Sequence, residues 1–440
     1  MTCDAQGNAV SGGTPEAVDY LDQAIRAFTI GHRDALGLLD AAASAAPDMP
    51  MAPIAKAYIL GLALDPKLVV MARSLADRVR SGPMNAREHA LLGVLDLALS
   101  GQRRAGITAL DAHLMDHPRD LLAHFSGLYS ETLLGRAPLV RDRAERAMPF
   151  WSADTPGFAV FRTTYAFGLE EAGSYARAED EARAAIAQEP HLYFAHHTVA
   201  HCMEMTGRPE AGVAFSRERE PFWASAESGG QGHIWWHTSL FHLELDQFDE
   251  ALKLYDGPLM RTVRPIGFSL SDPAALLWRL DTVGCDVGRR WQDLLPRWEG
   301  HADGRSMVFT DMHAAMTELR SGNEALAEAR LATMRHTAAG TGETASLYAE
   351  VGVPLVESLI AFHRGAYDAC IALLFPLRAE IWRIGGSNAQ RDIVEWTLTV
   401  AALRAGRKTL AQGLVYGRLA ARPQSLVNRE FQRTADRLAA

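Results

Sequence analysis

One stretch of the chain, GSYARAEDEARAAIAQEP at residues 173–190, leaves little choice of fold. Gly173 allows a tight turn that most side chains resist. Tyr175, two positions on, has the size to plug the gap between two paired helices. Ala178 and Ala185 share a helical face and let a neighbouring helix come close. Pro190 cannot continue a helix, so it closes the unit. The same register returns along the chain. Gly101 and Pro118 keep the spacing of Gly173 and Pro190, with Leu110 between them, and Gly207 follows Gly173 by one repeat length. DQFDEALKLYDGP carries Phe248, Ala251 and Tyr255 in second-helix positions, and HRGAYDACIALLFP does so with Gly365, Tyr367 and Cys370. Weaker echoes start at Gly31 and Gly322.

Recurrence at a fixed period is the mark of stacked supersecondary units. Apolar residues elsewhere recur three and four apart, as at Leu91, Leu95, Ala98 and Leu99, and strand-like alternation is scarce. The pattern predicts an all-α fold, a tetratricopeptide-like α-solenoid of antiparallel helix pairs, closed or strongly curled where the spacing degenerates. At 440 residues the chain exceeds what one core usually serves, which suits growth by repeats. Residues 15–435 read as a single repeat domain, and the small polar residues 1–14 as a disordered N-terminus. The Gly/Pro-punctuated segments 257–273 and 337–346 read as long loops.

Charge and cysteine usage narrow the function classes. The formal net charge of -9 argues against nucleic acid as a partner, since phosphate binding needs a cationic face. Cys3, Cys202, Cys285 and Cys370 are far apart and form no C-x-x-C pair, which fits reduced thiols in a cytoplasm. No basic segment followed by an apolar one opens the sequence, and no apolar run is read as long enough to span a membrane. A soluble cytoplasmic protein is the expectation.

Several longer strings are more specific than the repeat: YAFGLEEAGSY at 165–175, HTVAHCMEM at 197–205, GHIWWHTSLF at 232–241 and LLWRLDTVGCDVGRRWQDLLP at 276–296. FTDMH at 309–313, EVGVPL at 350–355 and GGSNAQRD at 385–392 follow. In content and order the chain resembles the tetratricopeptide repeat protein 38 family, from about Gly31 to about Ala435. The resemblance implies one tetratricopeptide-type helical domain. It brings no established activity and no catalytic residue. SGGQG at 228–232 is richer in glycine than the family pattern.

The residues with chemical potential cluster in those strings. His197 and His201 stand one turn apart, with Glu204 on the following turn, and His233 and His237 repeat the spacing in the next unit. If both segments are first helices of neighbouring repeats, the imidazoles face each other across roughly 8–10 Å between axes. Asp311 and His313 add a third candidate segment, but two residues apart they do not share a helical face. Two readings follow. One is a site for acid–base chemistry, or for a divalent metal held chiefly by His201 and His237 with carboxylate help. The other is a set of core histidines satisfied by local partners. No H-E-x-x-H is present. Cys202 diverges from His201 on a helix and is expected to pack as a small apolar residue.

Tyr165, Trp235 and Trp278 are candidate walls for a ligand, and Arg279 and Arg391 candidate clamps for a carboxylate or phosphate. The competing role for each arginine is a salt bridge between repeats. Glu170 and Glu171 either cap the pocket or are solvated. GGSNAQRD lacks the Gly-Lys-Ser/Thr of a phosphate loop, so Ser387 or Asn388 is expected to cap a helix. The expected function is a small-molecule site rich in histidine and carboxylate, suited to hydrolysis or related acid–base or metal-assisted chemistry. The rival is a scaffold that holds a peptide or protein in a groove, the usual role of such arrays.

Overall fold

The computed structural model describes residues 2–32, 34–62, 64–225 and 228–439. The first elements are a short hairpin, β1 (Thr2–Cys3) and β2 (Ala9–Val10), paired antiparallel with Thr2 opposite Val10. Helices then follow almost without interruption: α1 (Pro15–Ile30), α2 (Ala35–Ala45), α3 (Met51–Gly61), α4 (Pro66–Val79), α5 (Ala86–Leu99), α6 (Arg103–Asp116), α7 (Leu121–Leu133), α8 (Pro138–Ala147), α9 (Phe158–Glu171), α10 (Tyr175–Gln188), α11 (Tyr193–Met205) and α12 (Pro209–Trp223). The remainder comprises α13 (Gln231–Glu244), α14 (Phe248–Leu254), α15 (Met260–Thr262), α16 (Gly267–Thr282), α17 (Arg290–Leu294), α18 (Val308–Arg320), α19 (Glu324–Ala338), α20 (Glu343–Leu347), α21 (Val353–His363), α22 (Tyr367–Leu377), α23 (Asn388–Arg404), α24 (Lys408–Ala421) and α25 (Leu426–Arg437).

The fold is all-α, built of tetratricopeptide-like helix pairs, and the pairs follow the sequence register. Gly173 turns between α9 and α10 at φ +81°, and Ala178, Ala182 and Ala185 are fully buried where α10 meets α9. Cys202, Ala251 and Cys370, at small-residue positions, are also fully buried. By its internal packing the chain divides into two compact units. The first is Met1–Val199 with Glu220–Gly230, and the second is Ala200–Arg219 with Gln231–Ala440. In the second unit α16 packs against α13, α18 and α23, while α25 reaches α13 and α23. The late helices of that unit thus return to its early ones.

Three expectations fail for the same reason: packing overrides local punctuation. Residues 2–14, expected to be disordered, are held by specific polar partners. Asp4 accepts the Asn8 amide and pairs with buried Arg87, Ser11 N–H donates to Glu88, and Thr14 caps α1. The segment 257–273 is a kink at Gly257, the short α15 and the start of α16. That helix is buried at nearly every position, and burial sustains it despite Pro273. The supposed loop 337–346 shrinks to the residues between Ala338 and Glu343. By length and composition one helical stretch, Glu343–His363, is apolar enough to cross a membrane, contrary to the sequence reading. More than half of its apolar window is buried against neighbours, so it is a core helix of the second unit.

Candidate functional site

In the second unit α11 and α13 bring imidazoles and carboxylates together. His201 and His237 are fully buried, with ring centroids 4.6 Å apart. His237 and His233, one turn apart on α13, lie edge to face at 4.8 Å. His233 and His237 each have a carboxylate on Nδ1. His237 Nδ1 donates to Glu204 Oε2 at 2.8 Å, and His233 Nδ1 donates to Asp272 Oδ2 at 2.8 Å. The carboxylates fix the Nδ1–H tautomer and leave the Nε2 lone pair as the acceptor or ligand atom of each ring. His201, His233 and His237 each offer a ring nitrogen within 4.8 Å of the others. The His233 side chain keeps 16% of its surface exposed, so solvent reaches the group from that end.

Burial sets the electrostatics. It pushes the His237 pKa well below the ordinary imidazole range, and the proximity of His201, His233 and Arg279 pushes the same way. Burial raises the Glu204 pKa, against the opposing pull of Arg422, His201 and Arg279. Arg422 Nη2 stands 3.8 Å from the Glu204 carboxylate, and Arg422 Nε donates to the Glu204 carbonyl at 3.4 Å. Gly207 makes this approach possible. A Cβ there would sit 2.7 Å from the Arg422 Cα, so only glycine lets the end of α24 settle on the end of α11.

Behind the histidines lies an arginine cluster. Asp392 on α23 accepts from Arg418 Nη1 at 2.9 Å and pairs with Arg422 Nη1 at 3.0 Å, with Arg279 Nη2 at 3.9 Å. Burial alone would raise the Asp392 pKa, but the three guanidiniums hold it well below the usual carboxylate range. Burial lowers Arg279 to about 10, so it stays cationic at neutral pH. Arg279 also lies over the Trp236 ring, 6.0 Å from its centroid, and Trp236 stacks on His233 at 5.1 Å.

The expected site residues divide accordingly. His201, His233, His237, Glu204 and Arg279 converge. His197 lies in the first unit, where its ring packs against Phe167, Tyr193 and Phe194. Asp311 is engaged elsewhere, with Arg330 at 2.9 Å, the Tyr348 hydroxyl at 2.5 Å and the Gly304 amide at 2.8 Å. His313 donates from Nδ1 to the Phe309 carbonyl at 2.8 Å, and burial lowers its pKa to about 3. Asp311 and His313 therefore serve α18 packing, because their spacing turns them apart. Tyr165 lies in the first unit, bonded to Glu145 with Arg177 over its ring. Trp278 is core and donates to Thr397 at 2.9 Å. Trp236 packs on His233 and His237, and Trp235 beside it is half-buried. Arg391 bonds Asn388 and the Gly386 carbonyl, a local clasp at the start of α23. Glu170 and Glu171, offered as solvated or capping, are buried in the first unit.

Four contributors escaped sequence reading. Asp272 sits in a string that reads as loop, and Trp236 is masked by its neighbour Trp235. Arg418 and Arg422 have only i,i+4 spacing to mark them, far along the chain from Glu204.

The fold defines a class, the tetratricopeptide-like α-helical repeat proteins. No family model matches the chain. Among solved structures it is similar to an IFIT1 monomeric mutant with Gppp-AAAA, at 14% identity and TM-score 0.42 over 98% of this chain and 96% of that one. It is similar also to a human IFIT1 dimer with m7Gppp-AAAA, at 14% identity and TM-score 0.44, covering 97% and 95%. A human IFIT1 dimer with PPP-AAAA matches at 12% identity and TM-score 0.42, covering 98% and 96%.

Proposed function

We propose that this chain is a repeat protein of the tetratricopeptide repeat protein 38 type whose second unit binds a small polar molecule at His201, His233 and His237. The reading includes acid–base chemistry such as hydrolysis there. One observation carries it: two adjacent imidazoles are each oriented by a carboxylate at 2.8 Å, with a third ring against them. A packed core has little use for such convergence, whereas proton transfer needs oriented imidazoles of known tautomer. His233, nearest to solvent and paired with Asp272, is the proton acceptor that an entering molecule meets first.

The test is a thermal-shift screen with small carboxylates, phosphate esters and amides on the full chain. The wild type, the double variant His201→Ala/His237→Ala and the milder His233→Gln are compared, with helicity followed by circular dichroism. A shift seen with wild type and lost in helical variants supports the site. Equal shifts in all three, or none with any compound, sink it. In the second case the helix-pair fold alone remains, and the groove-scaffold reading becomes the better one.

A further inference from the structure

The histidine group has a feature that acid–base chemistry alone does not require. We infer that His201, His233 and His237 together bind one divalent transition-metal ion of the zinc class, with Glu204 and Asp272 as its outer-shell carboxylates. The inference rests on the reading of this cluster as a functional site and names its cofactor.

The donor set is the first argument. Three neutral imidazoles suit zinc, cobalt, nickel or iron far better than magnesium or calcium, which take oxygen ligands. Ring nitrogens bound to one zinc lie about 2.0–2.1 Å from the ion, hence roughly 3.3 Å from one another in a tetrahedral arrangement. The three rings already offer nitrogens within 4.8 Å of each other.

The second argument is the orientation of the rings. A metal-bound histidine nearly always donates its other ring N–H to a carboxylate, a backbone carbonyl or water, which fixes the tautomer and raises the basicity of the ligating nitrogen. His237 and His233 do this, His237 to Glu204 and His233 to Asp272. A histidine that serves only to fill space, such as His313, gives its Nδ1 proton to the carbonyl one turn back on its own helix. Glu204 and Asp272 come from α11 and α16, and the rings they hold come from α13. Three separate elements of the second unit therefore cooperate to aim two nitrogens.

The third argument is access. His201 and His237 are fully buried, while His233 meets solvent. A small polar molecule would enter at the His233 end. The arginine cluster around Asp392 lies on the far side of Glu204 and balances that carboxylate's charge.

The experiment is uptake of zinc chloride by the untagged full chain after dialysis against chelator, read by elemental analysis and by calorimetric titration. Cobalt(II) chloride provides a visible d–d band that reports nitrogen ligation, and magnesium chloride is the control. One zinc per chain is expected, with a tetrahedral-type cobalt spectrum and no magnesium uptake. His233→Gln, at the partly exposed position, should weaken zinc binding at least 100-fold with helicity retained. Glu204→Gln should keep the stoichiometry and weaken binding about 10- to 100-fold. Substoichiometric zinc in the wild type, or unchanged uptake by the double variant His233→Gln/His237→Gln, overturns the metal site. If zinc fails but the compound shifts above survive and depend on the same histidines, only the metal falls. If both fail, the site itself falls.

Discussion

The two units each bury a carboxylate against a histidine and an arginine, and they use it differently. In the first unit Asp120 caps α7. It accepts the Ala123 amide at 3.1 Å, Arg87 Nε at 2.7 Å and His113 Nε2 at 2.9 Å. Burial would raise its pKa, but Arg87 and His113 hold it far below the carboxylate range. In the second unit Glu204 takes one short bond from His237 and a longer approach from Arg422, and burial keeps its pKa raised. Asp120 is a joint: charge, cap and pairing all stabilise the ionised form. Glu204 is left with its pKa raised by burial, its carboxylate turned to the His237 ring. The contrast teaches that a buried carboxylate–histidine pair marks a functional site only when the carboxylate is spent on orienting the ring.

Substitution should expose the difference most strongly. Asp120→Ala leaves buried His113 without its carboxylate and buried Arg87 with Asp4 as its remaining partner, and should cost about 3–5 kcal/mol in urea unfolding. Glu204→Gln keeps a hydrogen-bond acceptor for His237 and removes a strained charge, so its cost should stay under about 2 kcal/mol. If Glu204→Gln proves the more damaging, the two pairs have been assigned the wrong way round.

A second contrast lies on α18 and is read by pH. His313 is held near pKa 3 by burial, below its unfolded value of about 6.5. Between those limits the unfolded chain binds a proton that the folded chain refuses, so its contribution to stability falls as pH falls. Asp311 acts oppositely. Burial, partly offset by Arg330, raises it to about 6, so the folded chain takes up its proton first and gains stability as pH falls from 6 towards 4. His313→Gln should therefore resist acid better than wild type, by about 1.4 kcal/mol per pH unit between 6 and 4. Urea midpoints at several pH values check this. A slope unchanged by the substitution would mean that His313 is protonated in the folded chain.

The smallest expected effect concerns a purely local feature. Ser387 caps α23 through a box with Gln390, so Ser387→Ala should cost about 1 kcal/mol and leave zinc uptake unchanged. A fall in uptake would show that the start of α23 helps to place Asp392, and would join the cap to the site.

How much was legible follows from these cases. The glycine turns, the buried alanines of α10 and the Ser387 cap could be read from the chain, because each depends on neighbours within one or two turns. His201, His233 and His237 were legible as helical pairs, and their imidazole chemistry with them. Their meeting was not. Glu204 and His237 are 33 residues apart, His233 and Asp272 are 39 apart, and Arg422 reaches Glu204 across 218. Local periodicity says which face of a helix is apolar. Only the packing of α11, α13, α16 and α24 decides which polar groups share a low-dielectric space, and it is there that a carboxylate can aim an imidazole.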